Sequence, residues 1–232
     1  MFGHLWSILK TWQENGRKKY THDIVDFEER RKSRFYSLWI DHEILRIYWH
    51  NFAMIAPGVF RSNHPTHARL EAYAAMGIKS VINLRGATRH SHYRFEVESC
   101  EALGINIIDI PLSARSAPTK ARLLEVVDLL LSQPKPFLIH CKSGADRTGL
   151  VAAIYLICVE GKSAKEARKQ LSLRYLHLVI TKTGILDYVI WSYIKHNEIE
   201  GIGFRDWIET EYNASETTLG FAKASLWERL MM

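Results

Sequence analysis

The chain is poor in cysteine, with only Cys100, Cys141 and Cys158 among 232 residues. An odd, sparse set excludes a disulfide framework and suits a reducing compartment. The chain also lacks an unbroken apolar run of about 18 residues, so no segment is expected to span a bilayer. Met1 to Lys10 does not follow the basic, apolar, small-residue order of a secretion signal, and the expected location is cytoplasmic. No internal repeat, low-complexity tract or obvious linker divides the sequence, which leaves room for one domain with helical additions. Charge is unevenly distributed. Residues 1–37 carry Lys10, Arg17, Lys18, Lys19, Arg30, Arg31, Lys32 and Arg34 against five acids, whereas the tail from Glu198 carries seven acids against Arg205, Lys223 and Arg229. A basic arm of this kind suits peripheral contact with an anionic membrane surface or an acidic partner, although a solvated helix face is the commoner reason for such a run. Nothing in it points to nucleic acid.

What is present is concentrated in one stretch. Phe137-Leu138-Ile139 is a short apolar run, His140-Cys141-Lys142-Ser143-Gly144-Ala145-Asp146-Arg147-Thr148-Gly149 follows, and Leu150 to Val159 is apolar again. This order predicts a buried strand, a tight loop and a helix N-terminus. Inward backbone N–H groups of such a loop, with the positive end of the helix dipole, make an anion cradle. Gly144 permits close backbone approach, and Arg147 offers a planar fork for two phosphate oxygens. Cys141 sits where such a field lowers a thiol pKa from about 8.5 into the range of roughly 3.5–7.5.

The rest of the chain frames that stretch. Residues 1–50 read as a helical N-terminal extension. Phe2, Leu5, Trp6, Ile8, Leu9 and Trp12 recur at helical spacing, and Trp39 to Trp49 suggests a second helix. Strands are predicted at Phe52–Ile55 and Val59–Arg61 around Pro57-Gly58, at Lys79–Leu84 and at Ile105–Ile110. Helices are predicted from Thr66 to Met76, from His92 to Leu103, and from Pro118 to about Leu131. Beyond the loop, Ser163 caps a helix expected to run through Tyr175, and further helices fit 183–195, 204–212 and 217–231. The alternation predicts an α/β fold: a central, mainly parallel sheet flanked by helices, with N- and C-terminal helical additions. The expected divisions are 1–50, a core at 51–200 and a tail at 201–232.

Cys141-x5-Arg147-Thr148 preceded by His140 resembles the signature of the cysteine-based phosphatases, the protein tyrosine and dual-specificity class. Gly58-Val59-Phe60-Arg61-Ser62 followed by Pro65 resembles the segment that opens the core of atypical dual-specificity members, and the likeness extends over about residues 52–197. It implies that Cys141 attacks phosphorus to form a phosphocysteine. Arg147 and the backbone of Lys142, Ser143, Gly144 and Ala145 would hold the phosphoryl oxygens, and Thr148 would help the thiolate leave. No cofactor is implied. Implied substrates are a phosphotyrosine protein, an inositol phosphate or an anionic phospholipid.

One expected part is missing. Relatives place an acidic residue after a proline on a mobile loop, but Ile110-Pro111-Leu112-Ser113-Ala114-Arg115-Ser116-Ala117-Pro118 contains no acid. Two candidates remain for the proton donor. Asp146 occupies the loop position where myotubularin-like lipid phosphatases also carry an aspartate, and it is equally explained as a carboxylate at a helix start. Asp109 ends a strand. Arg85 follows the strand ending at Leu84 and is placed beside the phosphate; Arg89, Arg94, Arg115 and Lys142 extend a basic rim. His64, His67, His90 and His92 lack a cysteine or acid cluster to complete a metal site. Cys100 and Cys158 read as buried and inert, and His140 as a group orienting the loop. Two alternatives stay open: a catalytically weak phosphate-binding module and a rhodanese-like sulfurtransferase.

Overall fold

A computed structural model of the chain describes residues 24, 26–35, 39 and 48–232. The helices expected within 2–12 and 39–49, and with them the apolar part of the basic arm, lie outside the described residues apart from positions 39, 48 and 49. A helix that periodicity did not announce, α1 (Phe27–Phe35), runs with Glu28 and Glu29 in its first turn and Lys32 and Arg34 in its last. That arrangement complements the helix dipole. Both Arg30 Nη atoms reach the Glu98 carboxylate, at 2.9 and 2.5 Å.

The sheet has the order β1-β2-β5-β3-β4. β1 (Ala53–Ala56) pairs antiparallel with β2 (Val59–Ser62), and β2, β5 (Phe137–His140), β3 (Ser80–Asn83) and β4 (Asn106–Asp109) run parallel. The predicted α/β architecture is the observed one. β5 is central and buried along its whole length, which explains its continuous apolar run: a parallel strand with helices over both faces has no solvent side. Alternate residues feed two cores. Phe137 and Ile139 join Ile82 on one side, and Leu138 joins Val81 on the other. The second side is covered by α2 (His67–Ala75) and α3 (Ser91–Leu103) through Leu70, Tyr73 and Cys100.

The larger core lies under α4 (Lys120–Ser132), α5 (Asp146–Cys158) and α7 (Ile185–Glu200). α5 is buried from Thr148 to Leu156, as an all-apolar helix must be. Thr119 rather than Pro118 begins α4, because its hydroxyl accepts the Arg122 N–H and so caps the helix. The helix expected from Ser163 to Tyr175 is instead a single turn, α6 (Ala164–Ala167), followed by short 3₁₀ turns at Arg168–Gln170 and Leu173–Tyr175. The reason is partly tertiary: the Gln170 carbonyl accepts from Arg61 Nη1 at 2.9 Å, while Leu176 takes a left-handed backbone at φ 60°. The last predicted helix is likewise two, α9 (Ala214–Lys223) and α10 (Leu226–Met231), with Ser225 restarting the chain through a capping box. None of the described helices is long and apolar enough to cross a membrane.

α8 (Phe204–Thr210) does not trail away from this body. Phe204, Trp207 and Ile208 sit in the larger core with Tyr193 of α7 and Tyr212, whose hydroxyl donates to the Pro118 carbonyl at 2.6 Å. Trp207 is 1% exposed and is among the largest fully buried side chains. Trp207→Ala is therefore expected to cost about 3–5 kcal/mol and to lower Tm in a thermal scan. A loss under about 1 kcal/mol would mean that α8 is an appendage.

Candidate active site

β5 delivers Cys141 into the floor of a loop, residues 141–145, that turns directly into α5. The loop closes tightly because Gly144 adopts φ +72°, and a Cβ there would stand 2.7 Å from the Ser62 carbonyl and from the Asn63 nitrogen. Only glycine fits both demands. An asparagine side chain and a backbone N–H hold the loop from outside it. Asn51 donates through Nδ2 to the Ser143 and Tyr175 carbonyls, at 2.8 and 2.9 Å. Asn51 itself has φ 49°, a conformation asparagine tolerates. The His64 N–H reaches the Lys142 carbonyl at 3.2 Å.

Beneath the loop lies Arg61, fully buried at the heart of β2. Its Nη2 donates to the Gly144 carbonyl at 2.6 Å and its Nη1 to Gln170 Oε1 at 2.7 Å. The guanidinium packs 3.5 Å above the Tyr175 ring centroid. Burial pulls its pKa down to about 10, while Tyr175 and the Cys141 sulfur favour its charged form. It therefore stays a cation at neutral pH and adds positive charge under the loop.

Cys141 is 1% exposed. Burial alone pushes its thiol up, but the Arg147 guanidinium and hydrogen bonds from the Thr148 hydroxyl and backbone N–H outweigh burial, and the pKa lies below the ordinary value. The Thr148 hydroxyl is buried without a hydrogen-bond partner and lies among the groups that favour the thiolate. Cys100 and Cys158 show the contrast, since burial without such neighbours pushes both up to about 12.

Arg147, in the first turn of α5, donates through Nη1 to the Leu84 and Leu112 carbonyls, at 3.2 and 3.4 Å. One edge of the fork is thus anchored to the ends of β3 and of the acid-free loop, while Nε is buried without a hydrogen-bond partner. A buried guanidinium N–H left unmatched is costly, and an oxyanion above Cys141 would satisfy it. Arg85 follows β3, whose Asn83 is paired with His140, so it stands at the strand ends beside the loop. The Asn83 side chain fixes its backbone by accepting the Arg85 N–H at 2.9 Å. Arg89 and Arg115 are exposed further out.

The two acid candidates differ sharply. Asp109 is fully engaged: Oδ1 accepts from Asn83 Nδ2 at 2.8 Å and Oδ2 from the Tyr93 hydroxyl. Asp146 sits in the first turn of α5, half-buried, with Oδ1 2.7 Å from His177 Nδ1. The other ring nitrogen of His177 pairs with Asp187 Oδ2. Burial disfavours the imidazolium, but a carboxylate on each nitrogen outweighs that and pushes His177 up to about 9. Asp146 is therefore the outer member of a carboxylate–imidazolium–carboxylate chain that the sequence did not announce. His177 lies in an irregular segment and Asp187 in an amphipathic helix, and neither carries a local signature. Arg61 offered one slight signal, a charged residue directly after the apolar pair Val59-Phe60 in a short strand.

A family model described as DSP-PTPase phosphatase fused to NAD+ kinase matches residues 55–182. The chain is 30% identical over 112 residues to inositol diphosphatase DSP4 of Arabidopsis thaliana, a match covering 43% of this chain and 51% of that protein. It is 30% identical over 106 residues to inositol diphosphatase DSP1 of Oryza sativa subsp. japonica, covering 44% and 46%. The chain thus spans about half the length of the curated relatives it matches. Among solved structures, the core catalytic domain of the PP-IP phosphatase SIW14 from S. cerevisiae matches with a TM-score of 0.50 at 16% identity, over 70% of this chain and 96% of that one. Tk-PTP in its active form matches with a TM-score of 0.50 at 21% identity, over 63% and 97%. At these identities the structural likeness establishes the fold.

The buried imidazolium has a measurable signature. A histidine whose native pKa of about 9 exceeds its unfolded value of about 6.5 adds stability that is fully present below the unfolded value. That stability is lost as pH rises through the native value. The expected contribution is at most about 3 kcal/mol. Tm should fall between roughly pH 6.5 and 9, and His177→Gln should start lower and lose that fall. A parent protein with a flat Tm across this window would mean that His177 is neutral.

Proposed function

The chain belongs to the family described as DSP-PTPase phosphatase fused to NAD+ kinase, a cysteine-based, dual-specificity-like phosphatase family, and from that premise we propose that it hydrolyses phosphorylated substrates through a phosphocysteine formed on Cys141. The observation that carries this reading is the buried sulfur whose pKa is lowered by Arg147 and Thr148, beside an Arg147 Nε–H with no hydrogen-bond partner. The sulfur attacks phosphorus in line, a sulfur–phosphorus bond forms and the bond to the leaving oxygen breaks. Backbone amides of residues 142–147 and the Arg147 fork hold the equatorial oxygens, which is positioning plus charge stabilisation. Thr148 hydrogen-bonds the sulfur as water displaces it in the second step. The lowered thiol pKa of Cys141 beside the Arg147 guanidinium supports turnover over weak anion binding. A rhodanese-like reaction finds no support in the family match.

Asp146 is the proton donor in this proposal, because both Asp109 oxygens are occupied by Asn83 and Tyr93. Residues 112–118, where the resembling family carries its acid, supply none, so proton donation falls to one loop aspartate. The site is therefore best matched to a leaving group that needs little protonation. A diphosphate ester leaves behind a phosphate monoester, whose second pKa is only about 6. An inositol phosphate carrying a diphosphate group is accordingly the substrate class we propose first. The 30% identical relatives named as inositol diphosphatases support it, as does the basic rim of Arg85, Arg89, Arg115 and Lys142.

The test is a parallel assay of a diphosphoinositol phosphate, a phosphotyrosine peptide, an anionic phospholipid and a simple alkyl phosphate. Cys141→Ser should abolish turnover of whichever substrates are accepted, by at least about 10³-fold, while phosphate-like anions still bind. Residual turnover within tenfold of the parent would end the covalent mechanism. Preference for the peptide or the lipid over the diphosphate would retain the phosphatase and remove the proposed substrate.

A separate series isolates the acid. Asp146→Asn should slow an alkyl phosphate by about 10²–10⁴-fold and leave a diphosphate or activated aryl phosphate within a few-fold. Asp109→Asn should show no such dependence on the leaving group. The opposite pattern would move the acid to the end of β4.

A further inference from the structure

On the side of His140 away from the phosphate loop, three buried side chains from three elements converge. Glu96 projects from the middle of α3, His140 ends β5, and His64 lies in the segment between β2 and α2. His140 Nε2 is 2.7 Å from Glu96 Oε1, and His64 Nδ1 is 3.6 Å from Glu96 Oε2. Their donor atoms all lie within 4.8 Å of one another. His140 and Glu96 are 0% and 2% exposed. The His92 ring, one turn before Glu96 on the same helix, stands edge-on to His64 at 5.5 Å.

The 2.7 Å approach of His140 Nε2 to Glu96 Oε1 is an ion-pair distance between two buried groups. Both Glu96 oxygens and His140 Nε2 are buried with no hydrogen-bond partner despite the 2.7 Å approach. His140 Nδ1 lies 3.4 Å from the Cys141 carbonyl, which leaves Nε2 as the ring nitrogen facing Glu96 and His64. Two buried imidazoles and a carboxylate converging in a water-poor interior form a set that a cation between them would stabilise. A ligating histidine whose other N–H is held by a backbone carbonyl is the usual support around a metal.

We propose that His64 Nδ1, His140 Nε2 and the Glu96 carboxylate form a binding site for a divalent transition-metal cation of the Zn²⁺ class. Two neutral imidazoles and one carboxylate are a donor set suited to such ions. Three protein ligands leave a fourth position, and a cavity of about 540 Å³ lined by His64, His92, Glu96 and the arginines of α1 gives access to it. The ion is structural. It ties α3 and the end of β2 to the residue preceding Cys141, and so braces the phosphate loop from behind without touching substrate. Glu96 supplies the acid that the histidines lacked in sequence: it is remote from His64 and His140 along the chain and is brought to them by the packing of α3 on the sheet.

The test uses full-length Cys141→Ser protein, so that no active-site thiolate competes, stripped with a chelator and titrated with Co²⁺ and with Zn²⁺. One equivalent should bind, Co²⁺ should show the visible absorption of a four-coordinate nitrogen–oxygen site, and Tm should rise with metal concentration. Glu96→Gln and His64→Ala should each weaken binding by more than about 10-fold, whereas His67→Ala, at the exposed start of α2, should not. Should Glu96→Gln fail to fold, X-ray absorption on the zinc-loaded parent decides: a nitrogen–oxygen shell with imidazole scattering supports the site, and a sulfur ligand overturns it. Absence of stoichiometric binding, or equal loss in His67→Ala, also overturns it.

Discussion

A buried thiol whose pKa is held below the ordinary value is the constraint on which the rest of this structure depends. Burial by itself drives a thiol toward its neutral form, as Cys100 and Cys158 illustrate. Cys141 escapes because positive charge and hydrogen-bond donors are gathered around it and held rigid. Arg147 is pinned by two carbonyls, Thr148 and the first turn of α5 face the sulfur, and Arg61 supplies a second cation from underneath. None of these groups must reorganise when charge arrives, and that is the condition for electrostatic stabilisation in a dry site.

The fold serves that constraint. A parallel strand buried on both faces brings Cys141 to the sheet's carboxyl edge, where open α/β sheets gather ligands. The same strand ends in His140, so loop and core share one rigid support. Gly144 lets the loop press against the Ser62–Asn63 backbone, and Asn51 ties it to the Tyr175 segment. The broken helix after Ser163 follows from the same need. Its carbonyls and side chains are directed at Arg61 rather than at the next turn, and the irregular segment that results carries His177 to Asp146.

Much of this was legible in the sequence where the signal is contiguous. The run from Phe137 to Gly149 contains strand, loop, nucleophile candidate and guanidinium within one stretch, and its order survives folding unchanged. The strand–helix alternation likewise gave the mainly parallel sheet. What stayed hidden are contacts made by long-range closure. Arg61 and Gly144 are 83 positions apart, and Asp146 and His177 are 31 apart. Glu96 reaches His140 only because α3 folds across the sheet. Helix continuity after Ser163 was misjudged for a related reason: propensity cannot register that the Gln170 carbonyl has a tertiary partner.

The claim that Cys141 carries the phosphoryl group is tested most directly by trapping it. Full-length protein should be mixed with a turned-over phosphorylated substrate, quenched in acid within the first turnovers and digested for mass spectrometry. A single phosphoryl group on the peptide containing Cys141, in an amount that rises and then decays with substrate consumption, is the result expected. Steady turnover with no label on that peptide, or with the label on another residue, would contradict the account.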